Sequence, residues 1–300
     1  MRVLLTGSEG VLGRYLKQYL SGIGYEVYGF DLKETADFVG DIRNTEALVA
    51  VMNIVKPDVV LHFAALTSPI ESVYRETEYY DVNVVGTARL VRLLTDKHLL
   101  VFASSCAVYG NAYDDLKRPV KPGDEEGFIP LSPYGLSKLM AEKVIRFHAE
   151  NNGFTAVVLR FGNVYSPYDD KYVFWKLWTK KPFILNDPDA VRDFVSVHDL
   201  AVLITKIIEK WRSGEYSKKY AVYNVGYEPM KIGDLVDAFM RITGRPEKIV
   251  YGGGLKKGEF KAMVLDITDT RKTFGWEPQM RLVPEGIGWL ATVFRTRTGK

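Results

Sequence analysis

Arg2-Val-Leu-Leu-Thr6-Gly7-Ser8-Glu9-Gly10-Val11-Leu12-Gly13 is the stretch that decides the fold. Residues 2–6 are apolar without alternation, as expected of a strand buried on both faces. Glycines recur at positions 7, 10 and 13, and apolar residues then return at Leu16, Tyr19 and Leu20 with a helical period. The pattern is strand, glycine-rich turn, helix. Glycines there permit a tight turn, close approach of the backbone to a pyrophosphate, and close packing of helix on strand. The helix N-terminus would face the phosphates with unpaired N–H groups. A second strand, residues 25–30, ends at Asp31. A carboxylate there can accept both hydroxyls of an adenosine ribose and repels a 2′-phosphate. The segment therefore predicts NAD rather than NADP, held by Gly7, Gly10, Val11, Leu12, Gly13 and Asp31. Lys33 is the nearby cation that argues the other way.

Working outward, strands are expected near 59–62, 99–103 and 154–160, and helices near 45–55, 76–95 and 134–151. Such alternation predicts an α/β protein with a doubly wound parallel sheet, a Rossmann arrangement. After Asn163 the pattern breaks up around Pro167, Pro182 and Pro188, with shorter helices near 198–210 and 231–242. The chain is thus expected to divide into an NAD-binding part, 1–165, and a smaller interleaved α/β substrate-binding part, 166–300. Trp175 and Trp178, crowded with Tyr172, Phe174 and Leu177, are expected to be core.

Composition excludes several classes. The chain has 300 residues, 47% of them hydrophobic, with 40 basic and 37 acidic residues and a net charge of +3. That balance predicts neither a nucleic-acid footprint nor a membrane surface. No stretch approaches the roughly 18 apolar residues of a membrane span. The first strand follows Met1 almost directly, which predicts no signal peptide. Cys106 is the single cysteine, so no internal disulfide is expected and a cytoplasmic location follows. Cys106 itself reads as a small buried residue, with no His close in sequence to activate it. The four histidines are scattered without ligand spacing, and no metal is expected.

The chemistry is carried by Tyr134-Gly-Leu-Ser-Lys138. On a helix, residues four apart share a face, so a phenol and an ammonium lie side by side. A free Tyr titrates at about 10 and is a poor base at neutral pH. A nearby Lys⁺ favours the phenolate, which could take a proton from a substrate hydroxyl and return it.

Glycines spaced G-x-x-G-x-x-G, together with this Tyr-Lys pair, resemble the extended short-chain dehydrogenase/reductase family, in its NAD-dependent epimerase/dehydratase branch. The resemblance spans nearly the whole chain. It implies that Asp41-Ile42 lies beside the adenine, that His62-Phe63-Ala64-Ala65 passes under the cofactor, and that Asn83 and Lys138 join the cofactor site. It places the catalytic hydroxyl of Phe102-Ala-Ser-Ser-Cys-Ala-Val-Tyr-Gly110 on Ser105. The catalytic set is then Ser105, Tyr134 and Lys138, with Lys138 also contacting the nicotinamide ribose. Thr67, Ser105, Asn163, Arg192, Lys256 and Glu259 would bind substrate, and chain from the second half would cross back to complete the sheet.

Within the branch, the likeness is greatest to enzymes that invert C4 of UDP-galactose or UDP-glucose through a transient 4-keto sugar. Branch members that expel water or handle a carboxylate carry an acid within two positions of the catalytic hydroxyl. Here those positions are Cys106 and Ala107, which points to epimerisation. The alternatives are a net NAD(P)-dependent dehydrogenase or reductase and a non-catalytic dinucleotide sensor. The resemblance also implies a homodimer through the helices near 76–95 and 134–151. Lys256-Lys-Gly-Glu259 stands where the family has Arg-x-Gly-Asp. Met263 falls near the position that gates sugar size.

Overall fold

The computed structural model describes every residue except Lys181, Glu247 and Lys300. In chain order the strands are β1 (Arg2–Thr6), β2 (Glu26–Asp31), β3 (Phe38–Val39), β4 (Val59–His62), β5 (Leu99–Ser105), β6 (Thr155–Phe161), β7 (Asn163–Tyr165), β8 (Phe183–Leu185), β9 (Val191–Ser196), β10 (Tyr220–Val225), β11 (Glu228–Lys231) and β12 (Ile249–Tyr251). Seven form one sheet in the order β10-β6-β5-β4-β1-β2-β3. Every pairing in it is parallel. The protein is α/β and doubly wound. The large sheet takes its edge strand β10 from the second half of the chain. A three-stranded sheet, β11-β9-β7, and a two-stranded one, β12-β8, make up the smaller part.

The reason for this layering is visible in the strands. β1, β4, β5 and β6 are buried at nearly every residue, so helices must cover both faces. One core packs Leu16 and Leu20 with Leu200, Ile204 and Ile207 on one face. The other packs Leu48, Val51, Leu90, Ile145 and Ala149 on the opposite face. A third core in the smaller part gathers Phe174, Leu177, Trp178, Phe194, Phe239 and Phe294. The tryptophan-rich helix Val173–Thr179 thus packs inward at Phe174, Leu177 and Trp178.

Strand order reverses between β1 and β4, which are neighbours although β2 and β3 intervene in sequence. In such sheets ligands bind at the carboxyl ends of the strands beside that reversal. Thr6, Asp31, His62 and Ser105 close β1, β2, β4 and β5 at this edge.

Two boundaries differ from the sequence reading. β5 runs on to Ser105. The helix expected over 76–95 ends at Val91 and is π-helical over Asp81–Gly86. There the Thr87 hydroxyl donates to the Asn83 carbonyl at 2.6 Å. A side chain bonding four residues back competes with the helical ladder, and π-turns of this kind gather at functional sites.

Candidate active site

The glycine-rich turn is built as a cradle. Gly7 has φ +74°, a conformation that favours glycine, and a Cβ there would lie 2.6 Å from the Ala64 nitrogen. A Cβ on Gly13 would lie 2.1 Å from the Gly7 carbonyl oxygen. The turn therefore packs on the loop after β4 and on itself with no room for side chains. Helix Gly13–Gly22 opens without a side-chain cap. The amides of Val11, Leu12 and Gly13 have no acceptor among the described residues. Donors left free at a helix N-terminus suit a pyrophosphate. Asp31 completes the fit. Its Oδ2 accepts from the Glu9 amide at 3.0 Å and its Oδ1 from the Lys33 amide at 3.2 Å, leaving lone pairs for a ribose. The Lys33 ammonium is spent on the Glu9 carbonyl at 3.2 Å. Asp31→Asn is expected to weaken NAD retention by about 10-fold and to narrow discrimination against NADP. Equilibrium titration of apoprotein with both cofactors checks this.

Asp41, Ile42 and Asn83, expected at the cofactor, also make contacts within the protein. Ile42 is buried in the core against Gly86, and the Asp41 carboxylate is occupied by Arg43, whose Nη2 donates to it at 2.6 Å. Asn83 is buried, with Oδ1 accepting from the Leu66 amide at 2.9 Å. Its Nδ2 donates to the Leu66 carbonyl at 3.0 Å and to Ser137 Oγ at 2.9 Å. It ties the 62–67 loop to the helix that carries Tyr134 and Lys138.

Behind that loop runs a hydrogen-bond chain that sequence reading missed. Thr87 already donates to Asn83, so its oxygen accepts from His62 Nε2 at 2.9 Å. His62 Nδ1 then accepts from Thr6 Oγ1 at 2.7 Å, and Thr6 accepts from the Ala64 amide at 3.4 Å. Burial holds the imidazole down to about 3, so it is neutral and serves as a strut. Phe63, Ala64 and Ala65 emerge from this chain beside the glycine turn, half-buried, with Phe63 against Phe161.

The helix that carries Tyr134 and Lys138 runs over Pro133–Asn152. Ser132 caps it by accepting from the Gly135 amide at 3.1 Å, Pro133 opens it, and Gly153 at φ +80° ends it. Tyr134, Lys138 and Ser105 converge as expected and are all buried. Ser105 ends β5, and its Oγ accepts from the Ala107 amide at 3.1 Å. Lys138 Nζ donates to the Ala103 carbonyl at 2.8 Å and lies 4.9 Å from the centre of the Phe102 ring. The electrostatics depart from expectation. Burial pushes the Tyr134 phenol above its usual value, opposed by its hydrogen bond with Ser105. Burial also pulls Lys138 down to about 7, opposed by Glu142. Desolvation dominates both shifts because both groups are cut off from water. Cys106 is a buried thiol pushed up to about 12, again by burial, so it is neither acid nor nucleophile here.

Across the cleft lie the expected substrate residues. Asn163 opens β7 and pairs with Phe194 of β9. The Arg192 guanidinium lies 4.5 Å from the centre of the Phe260 ring, donating to the carbonyls of Val191 at 3.0 Å and Lys261 at 3.2 Å. Burial lowers its affinity for the proton, opposed by the Glu259 charge. Glu259 accepts from the Lys256 amide at 2.9 Å, closing a turn whose Gly258 lies against Pro69 and Ser132, just before Tyr134. Lys256 itself is exposed. Met263 is buried in the main core. It stands beneath the strand of Arg192, bonded through its amide to the Val191 carbonyl, so the sugar-gating position reads as floor. Thr67 shares a 2.8 Å hydrogen bond with the Tyr172 hydroxyl, which bridges the two parts of the chain. Asp169, buried, fixes Tyr172 by accepting from its amide at 2.8 Å, and Ser166 Oγ donates to the Val11 carbonyl at 2.9 Å. Segment 166–172 is thereby strapped to both the glycine turn and the substrate loop.

With this geometry in view, a profile of the NAD dependent epimerase/dehydratase family matches residues 3–226. The chain belongs to that family. Its members are NAD-dependent, and the free amides and Asp31 fit that cofactor. The chain is 27% identical over 314 residues to a UDP-glucose 4-epimerase of Rhizobium meliloti, covering 93% of each chain. It is 26% identical over 318 residues to a UDP-glucuronate 4-epimerase of Thermodesulfobacterium geofontis, covering 95% of this chain and 93% of the relative. The crystal structure of a Thermotoga maritima UDP-glucose 4-epimerase with UDP-glucose superposes with a TM-score of 0.86 at 25% identity, over 99% of both chains. The protein is therefore an epimerase/dehydratase-family enzyme of the nucleotide-sugar 4-epimerase type. Among the described residues no helix is long and apolar enough to cross a membrane, and no group of three or more His, Cys, Asp or Glu could hold a metal.

Proposed function

We propose that the protein inverts C4 of a UDP-hexose, interconverting UDP-galactose and UDP-glucose. The observation that carries this reading is the convergence of Ser105, Tyr134 and Lys138 with no acid at 106 or 107. One proton carrier and one hydrogen-bonding hydroxyl are what epimerisation requires of the protein. Bound NAD supplies reversible hydride storage. Tyr134 takes the proton of the sugar O4 hydroxyl and later returns it, while Ser105 hydrogen-bonds the same oxygen. The charge of Lys138 favours the phenolate against the cost of burial. Arg192 and Asn163 would hold the diphosphate, with Lys256, Glu259 and Thr67 at the rim of the cleft. A homodimer through helices 76–91 and 133–152 and a cytoplasmic location belong to the same reading. Val85, Met140 and Phe147 on those helices are exposed.

The test incubates the protein with UDP-galactose, UDP-glucose or UDP-glucuronate, each with catalytic NAD. Sugar nucleotides are separated afterwards, and absorbance at the NADH band is followed throughout. Interconversion of the two hexoses without net NADH is expected. Conversion of UDP-glucuronate alone would replace the hexose, and stoichiometric NADH would make the protein a dehydrogenase.

A further inference from the structure

Lys138 presents a difficulty that the catalytic reading leaves open. An ammonium can assist a phenolate only while it is charged, yet this one is buried and donates to a neutral carbonyl. Its surroundings offer little else. His62 faces it from β4 and is neutral. Tyr134 lies on its own helix, Tyr79 packs on Tyr134 from the helix before, and Cys106 follows Ser105; burial pushes all three above their usual values. Tyr109 and Tyr220 are likewise pushed up by burial.

One turn beyond Lys138, on the same helical face, is Glu142, 1% exposed. Three consecutive residues of β5 meet three successive turns of the helix. Ser105 meets Tyr134, the Ala103 carbonyl meets Lys138, and the Ser104 hydroxyl donates to Glu142. Glu142 is bound from its other side by Arg160 of β6, which pairs with Ser104 in the sheet. Arg160 Nε donates to Oε1 at 3.0 Å and Nη2 to Oε2 at 2.6 Å. The same guanidinium grips Glu125, through Nη1 at 2.7 Å and Nη2 at 2.8 Å, and lies 4.8 Å from the centre of the Tyr109 ring. Glu125 belongs to the surface turn Asp124–Gly127.

We propose that Glu142, Arg160 and Glu125 are positioning residues for Lys138. They form a buried chain of alternating charge, running from the catalytic lysine to a surface loop, that holds the lysine charged and in register on the end of β5. A buried Arg–Glu pair would be satisfied in itself and leave nothing for a neighbour. The second carboxylate changes this, since one guanidinium between two carboxylates leaves one net negative charge facing Lys138. Reading outward, Lys138⁺, Glu142⁻, Arg160⁺ and Glu125⁻ sum to zero with no charge unpaired. Glu142 has no path to substrate through this wall, so its part is played through the lysine.

The inference rests on the catalytic reading of Lys138, and its test has a readout that does not. Protein labelled with ¹³C at lysine Cε is titrated by NMR, the Lys138 resonance being the one absent from Lys138→Met. In the wild type burial has already drawn Lys138 down to about 7. Loss of the opposing carboxylate draws it lower still. In Glu142→Gln the Lys138 midpoint is expected to fall by about one pH unit or more, the effect typical of losing a close opposite charge. The alkaline limb of the kcat profile should move to lower pH with it, because activity is lost as Lys138 deprotonates. Ser104→Ala, which removes a hydroxyl and no charge, should leave the midpoint in place. Should Glu142→Gln fail to fold, Glu125→Gln at the loop end carries the same test, with a smaller fall in the same direction. An unchanged Lys138 midpoint in the folded charge variants, whatever their melting temperatures, overturns the proposal. Absence of turnover in the wild type would overturn the catalytic reading and leave the NMR result standing.

Discussion

Tyr134→Phe is expected to lower kcat by about 10³-fold, within the range for loss of a positioned acid–base group. The phenol is 8% exposed and packs edge-on against Tyr79, 6.3 Å between ring centres. Phenylalanine keeps that packing and removes only the oxygen. The helix start should survive, because it is held by Ser132, Pro133 and Gly135. Fold and NAD content should therefore match the wild type, and the loss should fall on kcat with little change in KM. Epimerase assays, together with NAD released on acid precipitation, check both halves. A variant with more than about a tenth of wild-type kcat would remove Tyr134 from the proton-transfer role. Loss of NAD along with activity would make it a structural residue.

The second large effect is expected at Gly13. A side chain there begins 2.1 Å from the Gly7 carbonyl oxygen and 2.8 Å from Ser8, both backbone contacts that cannot rotate away. Gly13→Val must push the helix off the turn. The expected cost is about 1–3 kcal/mol of stability, as for overpacking in a core. The larger effect is on the cofactor, since the amides of Val11, Leu12 and Gly13 would no longer converge. NAD should bind about 100-fold more weakly, equivalent to about 2.7 kcal/mol, and purified protein should lose its NAD. Gly10→Ala is the comparison. Gly10 is exposed, and a Cβ there meets only the Gly7 carbonyl oxygen, at 3.2 Å, so a much smaller loss is expected. Calorimetric titration with NAD and thermal unfolding separate the two costs. Equal losses at both positions would mean that the tight turn is not what positions the amides.

The first 31 residues were legible because their signals are local. A buried strand, glycines at a fixed spacing and a terminal carboxylate each act within a few residues, and the structure assembles them as written. The helix expected near 134–151 was legible for the same reason, its Tyr134 and Lys138 lying four residues apart in sequence. The partners of Asn83 were not legible, because what occupies a polar atom is a question about neighbours distant in sequence. Asn83 lies 54 residues from Ser137, the partner that takes up its amide. The His62 chain depends on hydroxyls from β1 and from the helix after β4, so no local pattern announces it. Tyr172 was noticed only as one aromatic among several, and its bridge to Thr67 exists because the smaller part folds over the cleft.

Glu142 marks the boundary between the two kinds of knowledge. Its spacing from Lys138 is written in the chain, and Arg160 stands three residues before Asn163. Local spacing, helix periodicity and turn chemistry act over a few bonds, so the chain alone dictated the doubly wound fold, the dinucleotide turn and the Tyr134-Lys138 pair, while Ser105 was placed by the family resemblance. Burial, hydrogen-bond partnership and charge balance are set by atoms brought together from remote positions. Only the folded molecule decided that Lys138 is dry, that Glu142 faces it, and that a surface glutamate closes the circuit, because desolvation has no meaning until the core has formed.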